Sequence, residues 1–268
     1  MKWLAFLFIA ILLFTTSQVT AKLEKDLVVY FTFDKVEDEK ILDASGNDLD
    51  AEIVANVDFV EGKYGDAIHI AAEPEGGDCV RVPADDLLEI EDEITVAAWV
   101  YHEDWQAASG LWVDKGSRSL GKQKGSYGIE FADIIPELGW LKIHMTLGGG
   151  QKSFGFIGAV PMMDGNWHHI AGTYNGKVAK MYLDGEIFYD HDQRFKFAGT
   201  NELELRIGCA GHPRYVFKGG SIDEFGLWKR AFTEAEIAEA MKGFLAVSPK
   251  DKVATTWGDI KHRTITDE

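Results

Sequence analysis

Apolar and polar positions alternate with period two in short runs along most of the chain, and Gly, Asn and Asp fill the breaks between them. That pattern predicts an all-β sandwich of half-buried strands. The clearest runs are Leu27–Phe33, Ile94–Tyr101, Trp140–Leu147, His169–Tyr174, Val178–Leu183, Leu203–Gly208 and Ile222–Trp228, with shorter ones around Ile53, Ile68, Val80, Trp112, Ile129 and Phe156. Asn175-Gly176 and Asp184-Gly185 suit two-residue type I′ turns, because both residue types accept positive φ. They link strands near 167–174, 177–183 and 186–190 into an antiparallel meander. The period changes only once, near the C-terminus. Thr233 and Glu236 form a capping box, Gly243 supplies a C′ residue, and Ile237, Ala240 and Met241 share one face. A helix from Thr233 to about Lys242 follows, packed on the sandwich.

The ends of the chain read differently. Lys2 precedes the apolar run Trp3–Phe14, and Val19-Thr20-Ala21 supplies small residues for cleavage, so residues 1–21 are expected to be a secretory signal peptide. Residues 22–246 form one domain, and residues 247–268, polar and containing Pro249, an irregular tail. No later run approaches the roughly 18 apolar residues of a membrane helix, so membrane insertion is not expected. The expected location is extracellular or periplasmic. A formal net charge of −17 opposes nucleic acid and anionic lipid as partners and is compatible with neutral sugars or divalent cations. Cys79 and Cys209 both sit at strand ends in a chain bound for an oxidising compartment, where a disulfide is the default and two buried thiols the alternative.

Four segments carry a family likeness. They are Tyr30-Phe31-Thr32-Phe33-Asp34 with Asp43-Ala44-Ser45-Gly46-Asn47; Gly62-Lys63-Tyr64-Gly65-Asp66-Ala67 running through Val80-Arg81-Val82-Pro83 to Ile94–Val100; Trp167–Tyr174 with Tyr182-Leu183-Asp184-Gly185; and Ile207-Gly208 with Ile222–Phe225 and the helix from Thr233. In this order they resemble the laminin G-like jelly-roll domains of the concanavalin A-like lectin/glucanase superfamily. The resemblance implies two packed antiparallel sheets, one of them concave, and leaves the ligand open. A secreted non-catalytic module for carbohydrate is the first functional expectation, and a protein-binding or adhesive module the second. Hydrolases of the same superfamily place Glu-x-Asp-x-x-Glu on one strand. No such motif occurs here, and the acidic cluster Glu89-Ile90-Glu91-Asp92-Glu93 has the wrong order, so a glycoside hydrolase ranks last.

Candidate ligand contacts are Trp105, His212, Arg214 and Tyr215, in segments that read as rim loops and combine stacking surface with hydrogen-bond donors. His168 and His169 are adjacent on a strand and point to opposite faces, so they are read as packing residues rather than ligands of one ion. Trp99, Trp167 and Trp228 are read as core. By the superfamily's strand order, Asp34 and Asp223 should meet beside the Asp43–Asn47 turn, which makes Asp34, Asn47 and Asp223 candidate ligands of a structural calcium ion. The competing expectation pairs Asp34 with backbone amides and Asp223 with a Lys or Arg.

Overall fold

The structure is a computed structural model and describes residues 23–55, 57–71, 79–102, 110–116, 127–135, 140–147, 152–159, 164–192, 201–209 and 216–243. The expected signal peptide and C-terminal tail lie outside the described residues. In chain order the strands are β1 (Leu27–Phe31), β2 (Val36–Glu37), β3 (Lys40–Ile41), β4 (Ala51–Val54), β5 (Val57–Glu61), β6 (Asp66–Ile70), β7 (Cys79–Val82), β8 (Ile94–His102) and β9 (Gly110–Lys115). They continue with β10 (Tyr127–Ile135), β11 (Trp140–Leu147), β12 (Lys152–Ala159), β13 (Trp167–Tyr174), β14 (Val178–Leu183), β15 (Glu186–Asp192), β16 (Leu205–Ile207) and β17 (Gly220–Trp228), and the helix α1 spans Glu234–Ala240.

Two antiparallel sheets form the jelly roll. One has eight strands, ordered β15-β14-β13-β8-β17-β6-β5 with β1 also paired to β17; the other has nine, ordered β12-β11-β10-β9-β16-β7-β4-β3-β2. Each predicted run is a strand. The additions are β2, β3 and β5, which are short or lie at sheet edges and carry too few buried apolar residues to give a period-two signal. The inward residues of both sheets, among them Phe31, Ile68, Val80, Val96, Ile129, Ile170, Ile207 and Leu227, make one core.

A second apolar layer lies on the outside of the eight-stranded sheet. Ile237 and Ala240 of α1 pack there with Tyr30, Ala97, Ala171, Tyr182, Trp228 and Phe232. The capping box at the helix start is formed as the sequence predicts, and Gly243 ends the segment at φ 76°. Of the two hairpin turns, Asp184-Gly185 has positive φ at both residues, as a type I′ turn requires. The Asn175 turn is shifted by one residue: only Gly176 has positive φ, while the Asn175 side-chain oxygen accepts the amides of Lys177 and Val178 and closes the turn from outside.

Cys79 and Cys209 form a disulfide across 130 residues of sequence, with their Cα atoms 5.5 Å apart. It ties the start of β7 to the residues after β16, strands that are neighbours in the sheet. Closing so long a loop restricts the unfolded chain by about 5 kcal/mol in the chain-entropy treatment. The double variant C79A/C209A should therefore unfold at markedly lower denaturant, by up to roughly that amount of free energy. Thiol titration of the parent protein in denaturant without reductant should find no free thiol, and two per chain would contradict the bridge.

Candidate functional site

Two places on this fold concentrate polar side chains. The first is a seam in the eight-stranded sheet where β17 changes partners: Gly220–Ile222 pair with β6, and Phe225–Trp228 pair with β1. Asp223 and Glu224 stand between, where the register against β8 also slips. Glu224 has φ 51°, a left-handed conformation that a residue with a Cβ adopts only when its surroundings enforce it. Both carboxyls are enclosed, at 0% and 4% exposure.

The loop from Gly62 to Asp66 closes over this seam and is held by carboxylates from other strands. Asp223 accepts the Tyr64 amide at 2.9 Å and the Glu224 amide at 2.7 Å, and Asp34, just past β1, accepts the Asp66 amide at 2.8 Å. The glycines of the loop make this approach possible. A methyl group at Gly62 would lie 2.6 Å from Asp223 Oδ2, and one at Gly65, whose φ is 83°, would collide with the Asp34 carboxylate. The Tyr64 hydroxyl donates to the Met241 carbonyl, which joins the loop to the end of α1.

Burial pushes the Asp223 carboxyl up to about 7 against the stabilising amides, with Asp34 adding to the rise. Burial likewise pushes Glu224 up to about 8; the Tyr30 hydroxyl, which donates to Glu224 Oε2, works against this, and Asp223 and Asp34 reinforce it. Glu224 Oε1 is buried without a hydrogen-bond partner. Among the described residues no Lys or Arg is paired with Asp34, Asp223 or Glu224, so the partner expected for Asp223 is replaced by backbone amides. Among the same residues no three His, Cys, Asp or Glu side chains converge as a ready-made metal cluster. At the seam Asp34 and Asp223 stand near enough to Glu224 to raise its pKa, and Glu224 Oε1 is left without a partner.

Asn47 is placed elsewhere. Its side-chain amide donates to the carbonyls of Leu27 and Val28 at 2.9 Å, against the start of β1, whereas Asp34 lies beyond its end. The turn that contains it is organised by Asp43, which accepts the amides of Tyr30, Ser45 and Leu49. The Asp-x-Ser-Gly-Asn motif is thus a clasp on the first strand.

The second place is the outward face of the nine-stranded sheet, on the side of the sandwich away from α1. Glu52, Arg81, Arg206 and Asp114 pair in register across β4, β7, β16 and β9. Their neighbours Val80, Val82, Ile207 and Val113 are core residues, so these four point away from the core, with Asp114 still enclosed at 1% exposure. The Arg81 guanidinium bonds Glu52 at 2.5 Å and Glu204 at 3.3 Å, and Arg206 bonds the other oxygen of Glu204. This ionic lattice borders a cleft of about 380 Å³ lined by Glu52, Arg81, Pro83, Ala84, Glu202, Leu203 and Glu204. Nothing local along the chain signals it, since each charge is a single position in or beside its own strand; only strand register assembles them. The four predicted rim residues, Trp105, His212, Arg214 and Tyr215, lie outside the described residues.

The paired histidines are packing residues. His169 is fully buried edge-on to Trp99, with ring centroids 5.4 Å apart, and burial pulls it down to about 4, so it is neutral. His168 bridges Asp184 at 2.7 Å and Asp164 at 3.0 Å. Burial alone would lower its pKa, but the two carboxylates outweigh burial and hold it above the ordinary imidazole value. Trp99 and Trp228 are buried, as expected, whereas Trp167 is only partly so.

The sequence model described as the concanavalin A-like lectin/glucanases superfamily (Laminin_G_3) matches residues 74–238, more than half of the chain. The chain belongs to this family. Pappalysin-1 of Mus musculus is 28% identical over 112 residues, which take in 37% of this chain and only 6% of that protein. The binding domain of Paraclostridial Mosquitocidal Protein 1 superposes with a TM-score of 0.61 at 19% identity, over 81% of this chain and 52% of that one. Domain 4 of AbnA, an extracellular arabinanase from Geobacillus stearothermophilus solved with arabinotriose, superposes with a TM-score of 0.59 at 16% identity, over 80% of this chain and 98% of the domain. The botulinum neurotoxin serotype D ligand-binding domain solved with N-acetylneuraminic acid has a TM-score of 0.59 at 12% identity, over 84% of this chain and 52% of that one. These identities establish a shared fold.

The His168 bridge generates a pH prediction. Its folded pKa is raised, so its contribution is complete below the unfolded imidazole value and is lost as pH rises through the folded value. His168→Gln should cost on the order of 1 kcal/mol near pH 5.5 and much less at pH 9. Urea unfolding of both proteins across that range measures the difference, and an equal loss at both ends would remove the charged bridge.

Proposed function

We propose that the protein is a secreted, non-catalytic module that binds carbohydrate through the outward face and rim of the nine-stranded sheet. The observation that carries this reading is the cleft bordered by the Glu52–Arg81–Glu204–Arg206 lattice. Carboxylates fixed beside a guanidinium offer paired acceptors and donors at set positions, the arrangement that adjacent sugar hydroxyls require, while Pro83, Ala84 and Leu203 give an apolar wall for ring C–H groups. The neighbours solved with arabinotriose and with N-acetylneuraminic acid support a sugar as ligand. The rim residues Trp105, His212, Arg214 and Tyr215 extend the proposed contact. Export through the signal peptide is consistent with the disulfide, and no described helix is long and apolar enough to cross a membrane.

Two observations weigh against the other readings. The described carboxyls whose pKa values burial raises, Asp223 and Glu224, are adjacent on β17 beneath a closed loop, where a glycosidic bond has no access. The large apolar side chains facing solvent among the described residues, Val36, Phe59, Leu87 and Ile187, are few and each only about 40% exposed, which gives an adhesive role little support.

The proposal includes a structural calcium ion at the seam, with Asp34 and Asp223 as its side-chain ligands and Asn47 left out. The ion would supply the positive charge that the enclosed carboxylates lack, and its role would be stability.

Binding is tested on a glycan array followed by titration calorimetry of the ligand found. Arg81→Ala should weaken that ligand by about tenfold or more, since it removes the donor, leaves Glu52 unpaired and leaves Glu204 held by Arg206 alone. Retained affinity would shift the site away from the cleft, and alanine at the four rim residues then tests the rim. For calcium, millimolar ion should raise the melting temperature over that in chelator by several degrees, and D34N/D223N should abolish the difference. Coincident melting curves of the parent protein would end the calcium proposal.

A further inference from the structure

The charge of the cleft says which sugars it takes. Its lining holds three carboxylates, Glu52, Glu202 and Glu204, against one guanidinium, Arg81. Arg81 is engaged on both sides, by Glu52 through Nη2 and by Glu204 through Nε. The next arginine, Arg206, is engaged by the same Glu204. Among the described residues, both guanidinium groups at the cleft, Arg81 and Arg206, thus already have carboxylate partners, and Glu202 adds an exposed negative charge that pairs with no described residue. A ligand carboxylate or sulfate entering here would have to compete with Glu52 or Glu204 for Arg81 and would face Glu202 at short range. Like charges brought together at a binding site disfavour the wrong partner strongly.

We infer that the cleft between β7 and the segment before β16 selects sugar units that carry no acidic group and rejects uronic, sialic and sulfated units. This inference rests on the proposed carbohydrate binding and gives it a ligand class. Hydroxyl groups meet no such barrier. A neutral sugar can donate to the outer lone pairs of Glu52, Glu204 and Glu202 without breaking the ion pairs, because each carboxylate oxygen accepts more than one hydrogen bond. The net charge of the chain, −17, acts in the same direction at longer range and slows the approach of anionic glycans at low salt.

The test uses the full chain and an array of neutral gluco-, galacto-, arabino- and xylo-oligosaccharides, together with C6-carboxylated counterparts of the hexose members and sialylated and sulfated glycans. Neutral members should bind, and the C6-carboxylated counterpart of a bound hexose should be weaker by about tenfold or more. Raising the salt should strengthen the carboxylated ligand relative to the neutral one, since the repulsion is screened. Glu202→Lys reverses one charge at a side chain with no described partner, and it should narrow the neutral-to-acidic ratio by about tenfold while leaving the melting temperature near that of the parent. Equal or tighter binding of the acidic counterpart overturns the inference and leaves carbohydrate binding standing. A ratio unmoved by both salt and Glu202→Lys also overturns it. Absence of binding to every glycan removes the proposed function itself, and the inference with it.

Discussion

The strand β17 must satisfy two partners in succession, and the rest of the eight-stranded sheet depends on how it does so. It runs beside β6 for its first residues and beside β1 for its last, so one edge of the strand has a junction where neither partner supplies a ladder. Buried backbone polar groups left at such a junction would be costly. The chain meets this with side-chain carboxylates: Asp223 and Asp34 accept amides of the Gly62–Asp66 loop and bring the end of β1, the start of β6 and the middle of β17 together. The solution creates its own difficulty, since it encloses negative charge, and Glu224 compounds it in a left-handed conformation with one oxygen unpartnered. A hydroxyl from Tyr30 and the tight turn at Gly65 relieve part of that cost.

The two outer faces of the sandwich follow from the same division. The face that carries the seam is sealed by α1, the Tyr64 loop and the aromatic layer of Tyr30, Trp228 and Phe232. His169 on that face is forced neutral by burial. The opposite face carries half-exposed charges tied to each other, from Glu52 to Arg206. One side therefore serves folding, and the other is the one proposed to meet a ligand.

How much of this could be read from the residues depends on range. The strands were legible because a period-two pattern is local, and so was the helix, since Thr233 and Glu236 lie within one turn of each other. The Asn175 turn was placed one residue early because the dipeptide rule ignores the side-chain bonds that Asn175 makes to Lys177 and Val178. Asp34 and Asp223 were found through the family's strand order, since nothing nearby in sequence links them. The clasp that Asn47 makes on the first strand was not legible, because a turn that aims oxygens inward and one that clasps a strand use the same residues. Glu224 carried a faint signal, a second acid in an otherwise apolar strand. The cleft carried none, because Glu52, Arg81 and Glu204 become neighbours only through pairings between distant strands.

The disulfide has a consequence for recognition. Cys79 opens the strand whose far end leads into Pro83 and Ala84, and Cys209 follows the strand that Glu202, Leu203 and Glu204 precede. The two walls of the cleft are therefore cross-linked at the end remote from the opening, like the arms of forceps welded at the hinge. Such walls cannot slip in register when a ligand arrives, and the ordering cost of shaping the cleft is met at folding. A short oligosaccharide bound there would gain its affinity from a surface already in place. If the cleft is the site, as proposed, reduction of the bond would weaken binding even while the sheet remained folded, because the jaws would regain freedom to move.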